Sequence, residues 1–256
     1  MSSVTALPQR LGRGPAAITA WCGIPEPWIA GILAREGYDV VTLDMQHGTY
    51  DLAAVIQAIP LIAAAGKPAM VRIPVGEFQT ASKLLDAGAS GIIAPMINTV
   101  EDARRFASFM KFPPTGERSW GPLVSLMLSA LSPGDYLKQA NGFSLSFAMI
   151  ETREALANID EILAVPGIDA IFLGPSDLSI TLSKGEALNL TGADVEKALD
   201  HALGRAKAAK KIAGAYAPTG ERAAEFAKRG FSFIALGSDT TSLRLGAQAA
   251  LTAARA

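Results

Sequence analysis

Cysteine is almost absent from this chain. Cys22 is the only one in 256 residues, which excludes an internal disulfide and a thiolate metal cluster and suits a reducing compartment. Charge of either sign is not in excess. Lys and Arg number 23 against 24 Asp and Glu, for a net charge of −1, and no basic stripe interrupts the chain. Nucleic acid and acidic membranes are therefore poor partners. Long apolar runs are missing as well. The longest, Ala58–Ala65, contains Pro60 and is far too short to span a bilayer. The opening M-S-S-V-T-A-L-P-Q-R-L-G-R-G-P has no apolar core of a secretory signal, so the expected location is the cytoplasm. No G-x-G-x-x-G follows the first apolar segment, which counts against a dinucleotide fold.

What remains is 50% hydrophobic and long enough to bury a large core. Eight short apolar segments read as strands: Ala16–Trp21, Asp39–Leu43, Pro68–Ile73, Gly91–Ala94, Ser144–Ile150, Asp169–Leu173, Ile212–Tyr216 and Phe231–Leu236. Nearly all are apolar throughout, as strands covered on both faces are. Helical sequence follows most of them: Pro27–Glu36, Asp51–Ala65, Glu77–Ala87, Thr99–Met110, Thr152–Leu163, Asp194–Lys210, Gly220–Arg229 and Thr240–Ala254. Asp51 is an expected N-cap, Gly66 a stop, and Pro60 an expected kink or break. Residues 1–15 read as an irregular lead-in. Lys111–Gly142, rich in Gly, Pro and Ser, reads as a long functional loop with one helix near Gly134–Ala140. No linker and no internal repeat is visible. The expected architecture is one (β/α)8 TIM barrel over residues 1–256, with an open doubly wound sheet as the alternative.

In a barrel the strand ends share one rim, where chemistry is placed. The ends here bring Trp21, Asp44, Gln46, His47, Arg72, Pro95, Glu151, Gly174 to Asp177, Tyr216 and Gly237 to Asp239 together. Glu151 directly follows one strand, and Asp177 follows the next after a tight G-P-S turn. Neighbouring parallel strands would set both acids at one edge. Without Lys or Arg beside them that arrangement is costly unless a cation sits between. The competing reading is that each acid caps a helix. An all-oxygen pair favours Mg2+ or Mn2+ over tightly held zinc. The backbone N–H groups of Ser176 and Asp177 would suit an anionic substrate group. His47 lies in a polar turn past a strand end and can accept a proton near neutral pH, while His201 reads as a solvated helix residue. Arg72, inside an apolar strand, needs an anion. Either it pairs with Asp44 or Glu151, or it grips a carboxylate or enolate oxygen. No lysine stands at a strand end, so carbonyl chemistry at this rim would not use an imine.

The runs L-D-M-Q-H-G, V-R-I-P, K-L-L-D-A-G-A-S-G-I-I-A-P-M, G-E-R-S-W-G-P, I-E-T-R-E-A-L-A-N-I-D-E-I and I-F-L-G-P-S-D-L-S, in this order, resemble the HpcH/HpaI family of class II pyruvate aldolases. The resemblance implies a metal-dependent lyase that cleaves 4-hydroxy-2-oxo acids to pyruvate and an aldehyde. It implies Glu151 and Asp177 as ligands of Mg2+ or Mn2+ (Co2+ as a further option). It implies His47 as the base acting through water, Arg72 as the enolate stabiliser, and the backbone groups of Ser176 and Asp177 as holding the pyruvate carboxylate; Gly174 and Trp21, at the same rim, are further candidate substrate contacts. In the family an aspartate supports the histidine. Asp86 matches that position, and Asp44 is nearer in sequence. Family members are typically hexamers whose last helix packs on an adjacent subunit. Some members carry Gln where Met149 stands here, which implies a more apolar pocket. Two rivals stay open: a malyl- or citryl-type CoA-thioester lyase, for which Arg118 and the 111–142 segment leave room, and a barrel that binds a 2-oxo acid without turnover.

Overall fold

The computed structural model describes residues 2–12 and 14–256. Eight parallel strands, β1 (Ala17–Cys22), β2 (Val40–Asp44), β3 (Ala69–Arg72), β4 (Gly91–Ala94), β5 (Leu145–Met149), β6 (Ala170–Leu173), β7 (Ile212–Ala217) and β8 (Phe233–Leu236), close into a barrel in sequence order. The closing register pairs Ala17 with Phe233 and Ala20 with Leu236. The expected barrel is therefore found, and the open sheet is not.

Two apolar shells hold it. Inside, Trp21, Met70, Ile93, Phe147, Met149, Phe172 and Phe233 fill the lumen. Outside, strand residues such as Val41, Val71, Ile92 and Ile171 meet the helices through Ile59, Leu84, Phe106, Leu199 and Phe226. Alternation along each strand thus feeds one shell and then the other.

Several local readings need correction. The lead-in is helical at Ser3–Thr5 and Leu7–Gly12, and fully buried Leu7 joins the lumen cluster as a plug at the N-terminal mouth. Arg10 fixes that plug through Asp39, with Nε to Oδ1 at 2.8 Å. The long 111–142 segment holds two helices, Leu123–Ser129 and Pro133–Phe143, around buried Tyr136. The expected helix 152–163 is two, Arg153–Ala157 and Ile159–Ala164, meeting at Asn158. Pro60 neither breaks nor ends its helix, which runs unbroken from Leu52 to Ala64 with the expected Asp51 cap (Ala54 N–H to Oδ1, 2.8 Å). The turn before Asp177 is the first turn of an unexpected helix, Pro175–Leu182. The last helix, Asp239–Ala254, is exposed from Thr240 onward, including Leu243, Leu245 and Leu251. No helix among the described residues is long and apolar enough to cross a membrane.

Candidate active site

The C-terminal ends of the strands surround a cavity of about 480 Å3. Trp21, Asp44, His47, Arg72, Met149, Gly174, Ser176, Asp177 and Tyr216 line it, together with Asp239. Most of the expected rim residues therefore share one space.

Asp44, at the end of β2, is the hub. Its register partner on β3 is Arg72, whose Nε and Nη2 donate to Oδ1 and Oδ2 at 2.8 and 2.6 Å. That bidentate fork settles the structural half of the Arg72 question, because its anion is Asp44 and not Glu151. Nη1 is left uncommitted by this pair. Trp21 Nε1 also donates to Asp44 Oδ2 at 3.2 Å, and the Arg72 guanidinium lies 4.9 Å over the Trp21 ring. The same carboxylate accepts the backbone N–H groups of Gln46 (3.0 Å), His47 (3.4 Å) and Gly48 (3.2 Å). Burial pushes its pKa up, but the Arg72 hydrogen bonds and charge more than offset this and hold the carboxyl below its ordinary range. His47 itself is exposed, and its turn alone aims it.

Glu151 is buried just beyond β5, and Asp177 lies in the first turn of helix 175–182, as the strand-edge argument required. Gly174 stands between them. A Cβ there would lie 2.9 Å from Glu151 Oε2 and 3.5 Å from Asp177 Oδ2. Among the described residues Glu151 accepts one hydrogen bond, from Met96 N–H to Oε1 at 2.8 Å. Met96 can aim that N–H because its φ is +55°, in the left-handed region that non-glycine residues avoid. Burial lifts the Glu151 carboxyl to about 7; the Met96 bond opposes this and the Asp177 charge adds to it. Among the described residues no Lys or Arg forms an ion pair with either acid. Of the two acids only Asp177 lines the larger cavity; both face a neighbouring hollow of about 380 Å3, lined also by Met96, Thr152 and Lys184. The carboxylates fit a divalent cation: hard oxygens, on buried Glu151 and half-buried Asp177, converging without a counter-ion, with space kept open by a glycine. No group of three or more His, Cys, Asp and Glu side chains gathers among the described residues, so water and substrate would supply the other ligands.

The first intrahelical bond of helix 175–182 runs from Leu178 N–H to Gly174 O (3.0 Å), which leaves the N–H groups of Ser176 and Asp177 without helical partners. These are the two N–H groups expected from the sequence to suit an anionic substrate group. Asp86 is not in the cavity. It ends helix Phe78–Asp86 at the opposite mouth, where it accepts from Arg118 Nη2 at 2.7 Å. His201 is exposed on helix Ala193–Ala208.

Met96 and Gly48 were not singled out from sequence, and Asp239 was placed at the rim without a role. Met96 N–H holds Glu151. Asp239, 2% exposed, ties down the loop after β1. Gly48 lets two loops touch, since a Cβ there would lie 2.3 Å from Asp44 O and 2.8 Å from Gly23 Cα. Only the dipeptides Pro95-Met96 and His47-Gly48 hinted at unusual backbone.

A closed parallel barrel with paired acids at its C-terminal rim has the architecture of a (β/α)8 enzyme. The model of the HpcH/HpaI aldolase/citrate lyase family matches residues 18–245, and the chain belongs to that family. A hydroxypyruvate/pyruvate aldolase of Rhizorhabdus wittichii is 41% identical over 95% of this chain and 96% of its own. A 4-hydroxy-2-oxo-heptane-1,7-dioate aldolase of Salmonella dublin is 32% identical over 95% of this chain and 92% of its own. An HpcH/HpaI aldolase/citrate lyase family protein from Burkholderia cenocepacia J2315 superposes with a TM-score of 0.88 at 29% identity, covering 98% of this chain and 100% of its own. The chain is an aldolase, a carbon–carbon lyase.

Proposed function

We propose that this aldolase reversibly cleaves 4-hydroxy-2-oxo acids to pyruvate and an aldehyde with a divalent cation held by Glu151 and Asp177. The convergence of these two acids around Gly174 carries the reading. Mg2+ or Mn2+ suits the donor set, with Co2+ as a substitute. Such an ion would polarise the 2-oxo group and offset developing negative charge.

The chain's own residues do the rest. The N–H groups of Ser176 and Asp177 bind the substrate carboxylate at the helix N-terminus. Gly174 leaves room for it. Trp21 and Met149 form an apolar wall, and Met149 favours a less polar aldehyde side. His47, through a water, takes the proton of the 4-hydroxyl. The C3–C4 bond then breaks, its electron pair passes to C3 and the 2-oxo oxygen, and the aldehyde leaves. Arg72 is immobilised by Asp44 and turns its free Nη1 toward the enolate oxygen. Protonation at C3 yields pyruvate.

Asp44 supports His47 through the backbone of its turn. Asp86 would support a histidine only across a subunit boundary, as in a hexamer where the partner subunit's Asp86 approaches the site. The exposed helix 239–254 is compatible with packing on a neighbour in that assembly. A cytoplasmic location fits the lone cysteine. A CoA-thioester lyase is less favoured, because Arg118 is buried against Asp86 and lies 4.5 Å over the Phe112 ring, unavailable to a phosphate.

Pyruvate release from a 4-hydroxy-2-oxo acid, followed by a coupled assay, should vanish with EDTA and return with Mn2+ or Mg2+. His47→Ala should cost on the order of 10² to 10⁴ in turnover and leave Mn2+ binding unchanged. Turnover that ignores EDTA would sink the metal reading, and unchanged turnover in the variant would remove His47 from the mechanism.

A further inference from the structure

The imidazole of His47 makes no hydrogen bond to a described side chain, so its aim depends on the backbone of residues 46–49. The inner side of that turn is gripped by Asp44, as described above. Its outer side rests on the loop after β1. Gly23 O accepts Thr49 N–H at 2.9 Å and Thr49 Oγ1 at 3.2 Å. Gly23 and Gly48 approach so closely that a side chain on Gly48 would collide with Gly23 Cα. Gly23 is in turn held by one group. Asp239 Oδ2 accepts the N–H groups of both Gly23 and Ile24 at 2.9 Å, while Oδ1 accepts Thr240 N–H at 2.7 Å.

Asp239 is 2% exposed and forms no ion pair among the described residues. A buried carboxylate is costly unless its oxygens are satisfied, and here three backbone donors satisfy them. Two of those donors lie more than 200 positions away in sequence. The aspartate therefore spans the seam between the first and last strands, next to the turn that carries His47.

We infer that Asp239 is a positioning residue for the proton-transfer histidine: by clamping Gly23 and Ile24 it sets the outer wall against which the His47 turn is seated. Asp44 and Asp239 then act as inner and outer jaws on one turn. The inference rests on the aldolase reading only for what His47 does, and not for where it is held.

The chain has only two histidines, which makes the test direct. His201, exposed on its own helix, serves as an internal reference in NMR spectra of the ring C–H groups of the full-length protein. Asp239→Ser keeps a good helix-start residue but withdraws the reach to Gly23. It should shift and broaden the His47 resonances and leave those of His201 in place. Asp239→Asn, which retains one acceptor oxygen, should bring His47 back toward its original position. With a 4-hydroxy-2-oxo acid, Asp239→Ser should lower kcat about tenfold with KM within about twofold, as expected when a reacting group is misplaced while binding contacts stay.

An unmoved His47 in folded Asp239→Ser, or equal movement of His47 and His201, overturns the inference. If the serine variant loses its circular dichroism, Asp239→Glu, which pushes the oxygens outward by one methylene, must move His47 alone, and an unmoved His47 overturns the inference there too. If His47 moves but neither the parent nor a variant turns over substrate, the clamp stands and the aldolase reading falls.

Discussion

At the N-terminal mouth of the barrel, Lys111 Nζ meets Asp169 at 2.6 Å, Arg118 meets Asp86 at 2.7 Å and Arg10 meets Asp39 at 2.8 Å. At the C-terminal mouth, Glu151 and Asp177 face one another, with no such partner among the described residues. Both mouths bury charge, and the physics of desolvation is the same at each. At the lower mouth each charge has its counter-ion inside the chain, although buried Arg118 leaves Nε and Nη1 without hydrogen-bond partners among the described residues. Lys111 donates to two main-chain carbonyls as well as to its anion, and is fully satisfied. At the upper mouth Asp44 and Arg72 form the ion pair and Asp239 is satisfied by backbone N–H groups; the Asp44 match immobilises a guanidinium that faces the cavity. Charge resolved within the chain stabilises the fold. Charge left unresolved is available to a ligand.

The sharpest way to break this contrast is Asp177→Asn. It removes one unresolved charge at constant shape. Turnover should fall by about a thousandfold, the scale seen when a preorganised electrostatic group is lost. Thermal stability should hold or rise, because repulsion with Glu151 is relieved. A melting temperature that drops along with turnover would show that this acid, too, is structural.

Lys111→Met should do the reverse. It leaves Asp169 without its cation and should cost about 3–5 kcal/mol in urea unfolding, the range for breaking a buried pair. The folded fraction should keep its kcat within about twofold. A catalytic defect in fully folded protein would erase the distinction between the mouths.

The smallest effect is expected at the plug. The Asp39 carboxyl is pushed up by partial burial, but the Arg10 hydrogen bonds and the Ile18 N–H bring it below its ordinary value. Its folded pKa is depressed, so its contribution is present above the unfolded value near 3.9 and is lost as pH falls through the lower folded value. Asp39→Asn should remove that acid-sensitive increment, under about 1 kcal/mol for a partly exposed pair, in urea melts compared at neutral pH and near pH 3. An unchanged acid profile would deny the plug its electrostatic share.

Much of the fold was legible from short apolar runs with polar or glycine ends, since a strand covered on both faces needs nothing else. The helix 175–182 was harder to see. Its sequence P-S-D-L-S-I-T-L is rich in Ser, Thr and Ile, poor helix formers, and only Pro175 at the first position marks its start. The division at Asn158 was hidden because apolar spacing continues through it. What divides the segment is tertiary: Asn158 Nδ2 donates to Asn98 O at 2.9 Å across the rim. Glu151, Asp177, His47 and Arg72 were readable because their chemistry clashes with apolar strand ends. Met96 and Gly48 were not, and neither was the role of Asp239 at the rim, because each acts through backbone groups of a loop distant in sequence.

By itself, the order of residues determined eight buried strands, the helices that return between them, and the acids, imidazole and guanidinium that would stand at their ends. Periodicity and solvation act locally, and the chain carries that information in every short window. Only closure of the barrel decided which of those groups meet. Arg72 chose Asp44 because β2 and β3 are paired in that register, Asp86 went to the opposite mouth because its helix runs back down, and Asp239 reached Gly23 because the last strand lies beside the first. Such pairings depend on distance in space, and no local stretch of sequence encodes it.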